Sequence, residues 1–133
     1  MIAVDTSVLI HAERNRADLA ALLPETEEGP FYIPAHAAAE FLIGTHLPVR
    51  EDLRRRALDL YNQQFRDLVD TFGEDEAARL AQLIALLRKS GATMKFFDAA
   101  IAATALARGH KVWCLDSDFD RVPNLEVIGI TAQ

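Results

Sequence analysis

Short apolar runs alternate along this chain with longer stretches in which apolar residues return every three or four positions. Ile2-Ala3-Val4, Phe31-Tyr32-Ile33, Lys111 to Leu115 and Leu125 to Ile130 read as strands, and Asp67 to Thr71 alternates like a short fifth. Between them lie predicted helices. One follows the N-cap candidates Asp5-Thr6-Ser7 and runs through Ala12; a second covers Ala17 to Leu23. A third spans Ala35 to Leu47 and is broken by Pro48, and a fourth runs from Arg50 to Gln64. Glu74 to Ser90 is the clearest amphipathic segment, with Gly91 as its stop, and Asp98 to Arg108 is an alanine-rich helix ending at Gly109. Pro24 through Pro30 reads as a surface loop. Strands separated by helices imply βαβ units and a mainly parallel sheet covered on both faces. Ligands of such sheets collect outside the carboxyl ends of the strands, and Asp5 and Asp116 both directly follow predicted strands.

Composition narrows the function. At 133 residues the chain suits a single domain, 1–133, with no repeat or low-complexity linker. No apolar run approaches the roughly 20 residues that span a bilayer, and the first residues do not resemble a signal peptide, so no membrane association is expected. The single cysteine, Cys114, lies in an apolar run; it excludes an internal disulfide framework and suits a core position in a cytoplasmic protein. A formal net charge of −6 argues against general, non-specific nucleic-acid binding. It leaves open a nucleic-acid enzyme whose clustered carboxylates are neutralised by metal. Basic residues are grouped locally, at Arg14 and Arg16, Arg50 with Arg54-Arg55-Arg56, Arg88-Lys89, and Lys95.

Asp5, Glu40, Asp98 and Asp116, with Asp118 beside the last, each border an apolar segment rather than a charged run. Singly, each has an ordinary explanation: Asp5 as a helix cap, Asp98 as a charge at a helix start, Asp116, Asp118 and Asp120 as turn formers. Glu40 is harder to dismiss, because Ala38, Ala39, Phe41 and Leu42 leave little polar face around it. Carboxylates brought together would repel one another, and hard oxygen donors point to Mg²⁺ or Mn²⁺ as the compensating ion. No Gly-rich phosphate loop, Gly-x-Ser-x-Gly elbow or Cys/His zinc spacing competes. His11, His36, His46 and His110 are scattered, Trp113 reads as core, and Lys95 as solvated or touching a phosphate.

The ordered motifs resemble the PIN domain, and within it the VapC toxins of type II toxin–antitoxin systems. Val4-Asp5-Thr6-Ser7-Val8-Leu9-Ile10 resembles the family's opening segment, and Ala39-Glu40-Phe41-Leu42-Ile43-Gly44 its second motif. Phe97-Asp98-Ala99-Ala100-Ile101-Ala102-Ala103-Thr104-Ala105 resembles the third, and Leu115-Asp116-Ser117-Asp118-Phe119-Asp120-Arg121-Val122 the fourth. The resemblance implies a three-layer α/β/α sandwich and a Mg²⁺- or Mn²⁺-dependent endoribonuclease, cutting transfer or ribosomal RNA and inhibited by a VapB-like antitoxin. It also implies a homodimer. Asp5, Asp98 and Asp116 would hold the cation, directly or through water, and Glu40 would orient the attacking water or complete the coordination. Asp118 is a second carboxylate in the fourth motif; Asp116 is favoured because it directly follows the strand. Thr6 and Ser7 would donate to these carboxylates or cap the helix. The Arg50–Gln64 helix and the first two helices would meet a dimer mate or antitoxin. Three other readings stay open: a housekeeping RNA-processing PIN nuclease, a catalytically silent interaction module, and a different Mg²⁺-dependent α/β protein. The last is disfavoured because Ser7 stands where a haloacid-dehalogenase-type enzyme needs its second aspartate.

Overall fold

In the computed structural model, which describes residues 1–47 and 50–129, every strand pairs in parallel. Strands β1 (Ile2–Val4), β2 (Phe31–Pro34), β3 (Val69–Asp70), β4 (Lys111–Trp113) and β5 (Val127–Ile128) form one sheet in the order β3-β2-β1-β4-β5. The chain leaves β1 toward β2 and β3 on one side, then returns to β4 and β5 on the other. Consecutive strand side chains point to opposite faces, and Ile2, Ala3 and Val4 are all buried, so helices cover both faces of the centre. The expected mainly parallel α/β/α sandwich is thus observed.

The helices are α1 (Thr6–Asn15), α2 (Leu19–Leu22), α3 (Ala35–His46), α4 (Glu51–Leu60), α5 (Glu74–Lys89) and α6 (Phe96–Arg108). Helix α6 is the central one. Every residue from Asp98 to Ala105 is buried, and its alanines allow it to lie close to β1, β4, α3 and α5. Thr104, buried among them, satisfies its hydroxyl by donating to the Ala100 carbonyl at 2.9 Å. Gly109 ends the helix at φ 70°, a left-handed conformation that costs glycine nothing, and sends the chain into β4 two residues later.

Several boundaries differ from those the sequence suggests. Helix α1 continues past Ala12 to Asn15, and α2 is a single turn rather than Ala17–Leu23. The expected Arg50–Gln64 helix is regular only over α4; a wide turn (Tyr61–Phe65) and a tight one (Arg66–Leu68) follow. This irregular turn seats Phe65 in the core, its ring 5.3 Å from that of Phe41. It also consumes Asp67 and Leu68, so the strand expected over 67–71 contracts to β3. Helix α3 stops at His46 and α5 at Lys89, whereas α6 starts at Phe96, two residues before Asp98. β4 ends at Trp113 and β5 covers only two residues; Pro48 and Ile130 lie outside the described residues. Among the described residues no helix is long and apolar enough to cross a membrane.

Candidate metal centre

The parallel pairing of β1 with β4 builds the site. Val4 sits opposite Trp113, and the next backbone N–H, that of Asp5, donates to the Trp113 carbonyl at 2.9 Å. Asp5 therefore leaves the sheet at its carboxyl edge, beside the segment that carries Asp116. The chain departs from these two strands in opposite directions, which opens the crevice where such sheets bind ligands.

Asp5 is 3% exposed and caps α1: its Oδ2 accepts from the Ser7 backbone N–H at 3.2 Å and from the Ser7 hydroxyl at 2.6 Å. Its Oδ1 is buried without a partner. Burial raises the Asp5 pKa above the usual aspartate range; the Ser7 bonds oppose this and nearby Asp116 adds to it. The Ser7 oxygen in turn accepts from the Leu115 N–H at 3.1 Å, so one hydroxyl ties Asp5 to the loop after β4. Thr6 performs a parallel task, its hydroxyl donating to Glu40 Oε1 at 2.6 Å and drawing α3 toward the end of β1. Asp5 is thus the cap, and both hydroxyls serve carboxylates.

Asp98 lies in the first turn of α6 and is 8% exposed. Its pKa is pushed up to about 6, first by burial and then by Asp5, Asp118, Glu40 and Asp116. All five expected acids therefore meet in one electrostatic neighbourhood. Asp116 and Asp118 are exposed and share a turn in which the Asp118 N–H donates to Asp116 Oδ1 at 3.1 Å. Both bear on the buried acids: Asp116 helps to raise the pKa of Asp5, and Asp118 and Asp116 both help to raise that of Asp98. Cys114 stays a buried thiol, burial pushing its pKa up to about 12, and its Sγ donates to the Asp116 carbonyl at 3.2 Å.

Among the described residues no three His, Cys or acidic side chains close into a finished metal cage. The donors nevertheless fit a hard divalent ion. All are carboxylate oxygens, one is buried with no partner, and Mg²⁺ takes few protein carboxylates while keeping several waters. Beside the acids lies a cleft of about 380 Å³ lined by Thr93, Met94, Lys95, Asp98, Asp118 and Arg121. Arg121 is a lining residue that the acid pattern did not reveal; the only trace was a cation closing the acidic turn. Trp113, His36 and His110 are held in structural contacts. Trp113 is fully buried, His36 packs against Phe72 with ring centres 4.5 Å apart, and His110 Nδ1 lies 3.0 Å from the Tyr32 hydroxyl.

The PIN domain family matches residues 2–125. The chain is 32% identical over 132 residues to Ribonuclease VapC of Rickettsia bellii, spanning 97% of this chain and 96% of that protein. To Ribonuclease VapC1 of Rickettsia felis it is 29% identical over 135 residues, spanning 99% and 98%. Among solved structures it resembles VapBC-5, a member of the VapBC family of toxin-antitoxin systems from Mycobacterium tuberculosis. That likeness has a TM-score of 0.72 and 25% identity, and covers 98% of this chain and 97% of the other. A parallel sheet ordered 3-2-1-4-5, acids gathered at its carboxyl edge, and a match along almost the whole length lead to one conclusion: the chain belongs to the PIN-domain family, in its VapC group.

Proposed function

We propose that this chain is a Mg²⁺- or Mn²⁺-dependent endoribonuclease acting as the toxin of a VapBC-type pair. The observation that carries the reading is Asp5: a buried carboxylate with one unpartnered oxygen, at the carboxyl edge of the sheet, among four other acids. The names of the two Rickettsia relatives support RNA as substrate.

Asp5, Asp98 and Asp116 would hold the cation, with Asp118 able to share the load on the Asp98 side. Bound there, a divalent ion would supply positive charge to a scissile phosphate and lower the pKa of water. Glu40 orients the attacking water, and the Thr6 hydroxyl fixes the Glu40 carboxylate for that task. Ser7 keeps Asp5 and the Asp116 loop in register.

A groove of about 340 Å³ between α1, α3 and α4 supplies the surface for a VapB-like partner. Ile10, Leu53 and Ala57 make it apolar, and Glu40 forms part of its wall, so an occupant would touch the catalytic acid. The chain would act as a homodimer, which light scattering of the purified protein tests.

The direct test of the nuclease is cleavage of labelled RNA with EDTA, Mg²⁺ or Mn²⁺. Cleavage is expected only with added metal, and Asp5→Asn should abolish it while retaining a cooperative thermal transition. An Asp5→Asn protein that cuts at the wild-type rate sinks the assignment. The toxin role is tested separately: expression should arrest growth, and co-expression of the neighbouring small gene's product should relieve it.

A further inference from the structure

We infer that single-stranded RNA crosses the acidic centre along a track of three cations, with Lys95 and Arg121 in one depression beside the acids and Arg14 in a second. The inference rests on the ribonuclease reading and assigns its substrate contacts. A chain of net charge −6 cannot gather RNA by overall attraction, so phosphate binding must be local. Many of its cations are already committed. Arg50 pairs with Asp52, Arg54 and Arg55 with Glu51, Arg56 with Glu13, Arg108 with Asp70 and Glu76, and Lys111 with Glu27 and Glu126. Of the cations without such a partner among the described residues, Lys95 and Arg121 share a lining with Asp98 and Asp118, and Arg14 shares one with Glu40, whereas Arg16, Arg66, Arg79, Arg88 and Lys89 line no depression with these acids.

Lys95 and Arg121 line the cleft that Asp98 and Asp118 also line, yet neither cation pairs with either acid. The acids stay available to a metal ion and the cations to phosphate. The Arg121 guanidinium donates to the Thr93 carbonyl, which places it in advance and leaves other donors of its planar fork for phosphate oxygens. No side chain caps α6, so its first backbone N–H groups add positive potential beside Lys95. Ser7, Ile10, His11, Arg14 and Leu115 line a second depression of about 310 Å³. Ser7 and Leu115 connect it directly to Asp5 and Asp116. Asp98 and Asp118 belong to the first depression, and Ser7 and Leu115 of the second adjoin Asp5 and Asp116, so a strand occupying both meets the carboxylates. Ile10 and Leu115, 37% and 43% exposed, offer apolar surface to an unstacked base, which favours single-stranded over duplex RNA.

The test measures binding of a short fluorescein-labelled single-stranded RNA to the Asp5→Asn protein by anisotropy over a series of KCl concentrations. Adding Arg14→Ala, Lys95→Ala or Arg121→Ala should each weaken binding about tenfold. Each should also flatten the log–log salt slope by about 0.7, the value of one single-strand phosphate contact. Arg121→Lys should restore the slope, whereas Arg55→Ala, on the already paired Arg55, should alter neither quantity. Unchanged slopes in the three alanine variants overturn the track, and so does an equal change with Arg55→Ala. Weaker binding at constant slope reduces Arg121 to a support for its loop and overturns its phosphate role. If the Asp5→Asn background itself still cuts RNA, it is the metal-nuclease reading that fails.

Discussion

A single hydroxyl, that of Ser7, connects two carboxylate-bearing segments, and its loss should separate catalysis from stability. Ser7→Ala removes the bond to Asp5 and leaves the Leu115 N–H without its acceptor. Turnover should fall about 10- to 100-fold, whereas stability should fall by only about 1–3 kcal/mol. Single-turnover cleavage and urea unfolding measure the two, and a loss confined to stability would refute the positioning role. Asp98 predicts a pH dependence. With its pKa raised to about 6, it binds a proton more readily folded than unfolded. In metal-free protein its contribution therefore erodes stability as pH rises from the ordinary aspartate range toward about 6, then levels off once it is charged in both states. Thermal melts in EDTA should find Asp98→Asn more stable than the parent above about pH 6, the advantage shrinking as pH falls. Added Mg²⁺ should reverse the order. At this scale the sequence was only half legible. It singled out the five acids but could not separate cap from donor at Thr6 and Ser7, because both roles demand a hydroxyl at the same helix start.

Helix α6 shows what the element scale adds. Its alanines were visible as a small-residue run, but a run does not say what it lies against; the structure buries it between the sheet and two other helices. Ala102→Leu, at a fully buried position, should destabilise by about 1–3 kcal/mol through overpacking. Gly109→Ala forces a side chain into the left-handed region, and because nothing crowds its Cβ, the expected cost of about 1 kcal/mol is conformational alone. Chemical denaturation reads both. Strand existence was legible from apolar runs, whereas strand ends were not. Leu115 continues an apolar pattern after the last ladder bond, that of the Cys114 N–H to the Ile128 carbonyl, and Asp67 and Leu68 alternate like a strand while coiling as a tight turn. Periodicity reports which way side chains face, and a tight turn can imitate that alternation over a few residues.

At the scale of the molecule, the order of strands brings the motifs together, and no local pattern contains that order. Predicting a parallel sheet from alternating elements succeeded; placing β4 beside β1, which sets Asp116 against Asp5, required the fold or a family resemblance. Under the proposed function the groove between α1, α3 and α4 would make inhibition and catalysis neighbours, since Glu40 lines it. Leu53→Asp, on the rim of that groove, should weaken capture by a VapB-like partner while leaving RNA cleavage by the free protein intact. Pull-down and cleavage assays on one preparation would show whether the two separate. The RNA target was not legible, because the surface around the acids is assembled from side chains far apart in the chain.

The pairing of β1 with β4 also has a meaning in time. A ribosome makes Asp5 and Glu40 well before Asp98 and Asp116, and the ladder that sets Asp5 against the Asp116 segment cannot close before Lys111–Trp113 exists. Every truncated or still-tethered chain short of that point lacks part of its acid set. The acids that the proposed nuclease needs are thereby kept apart until the segment carrying Asp116 has been made.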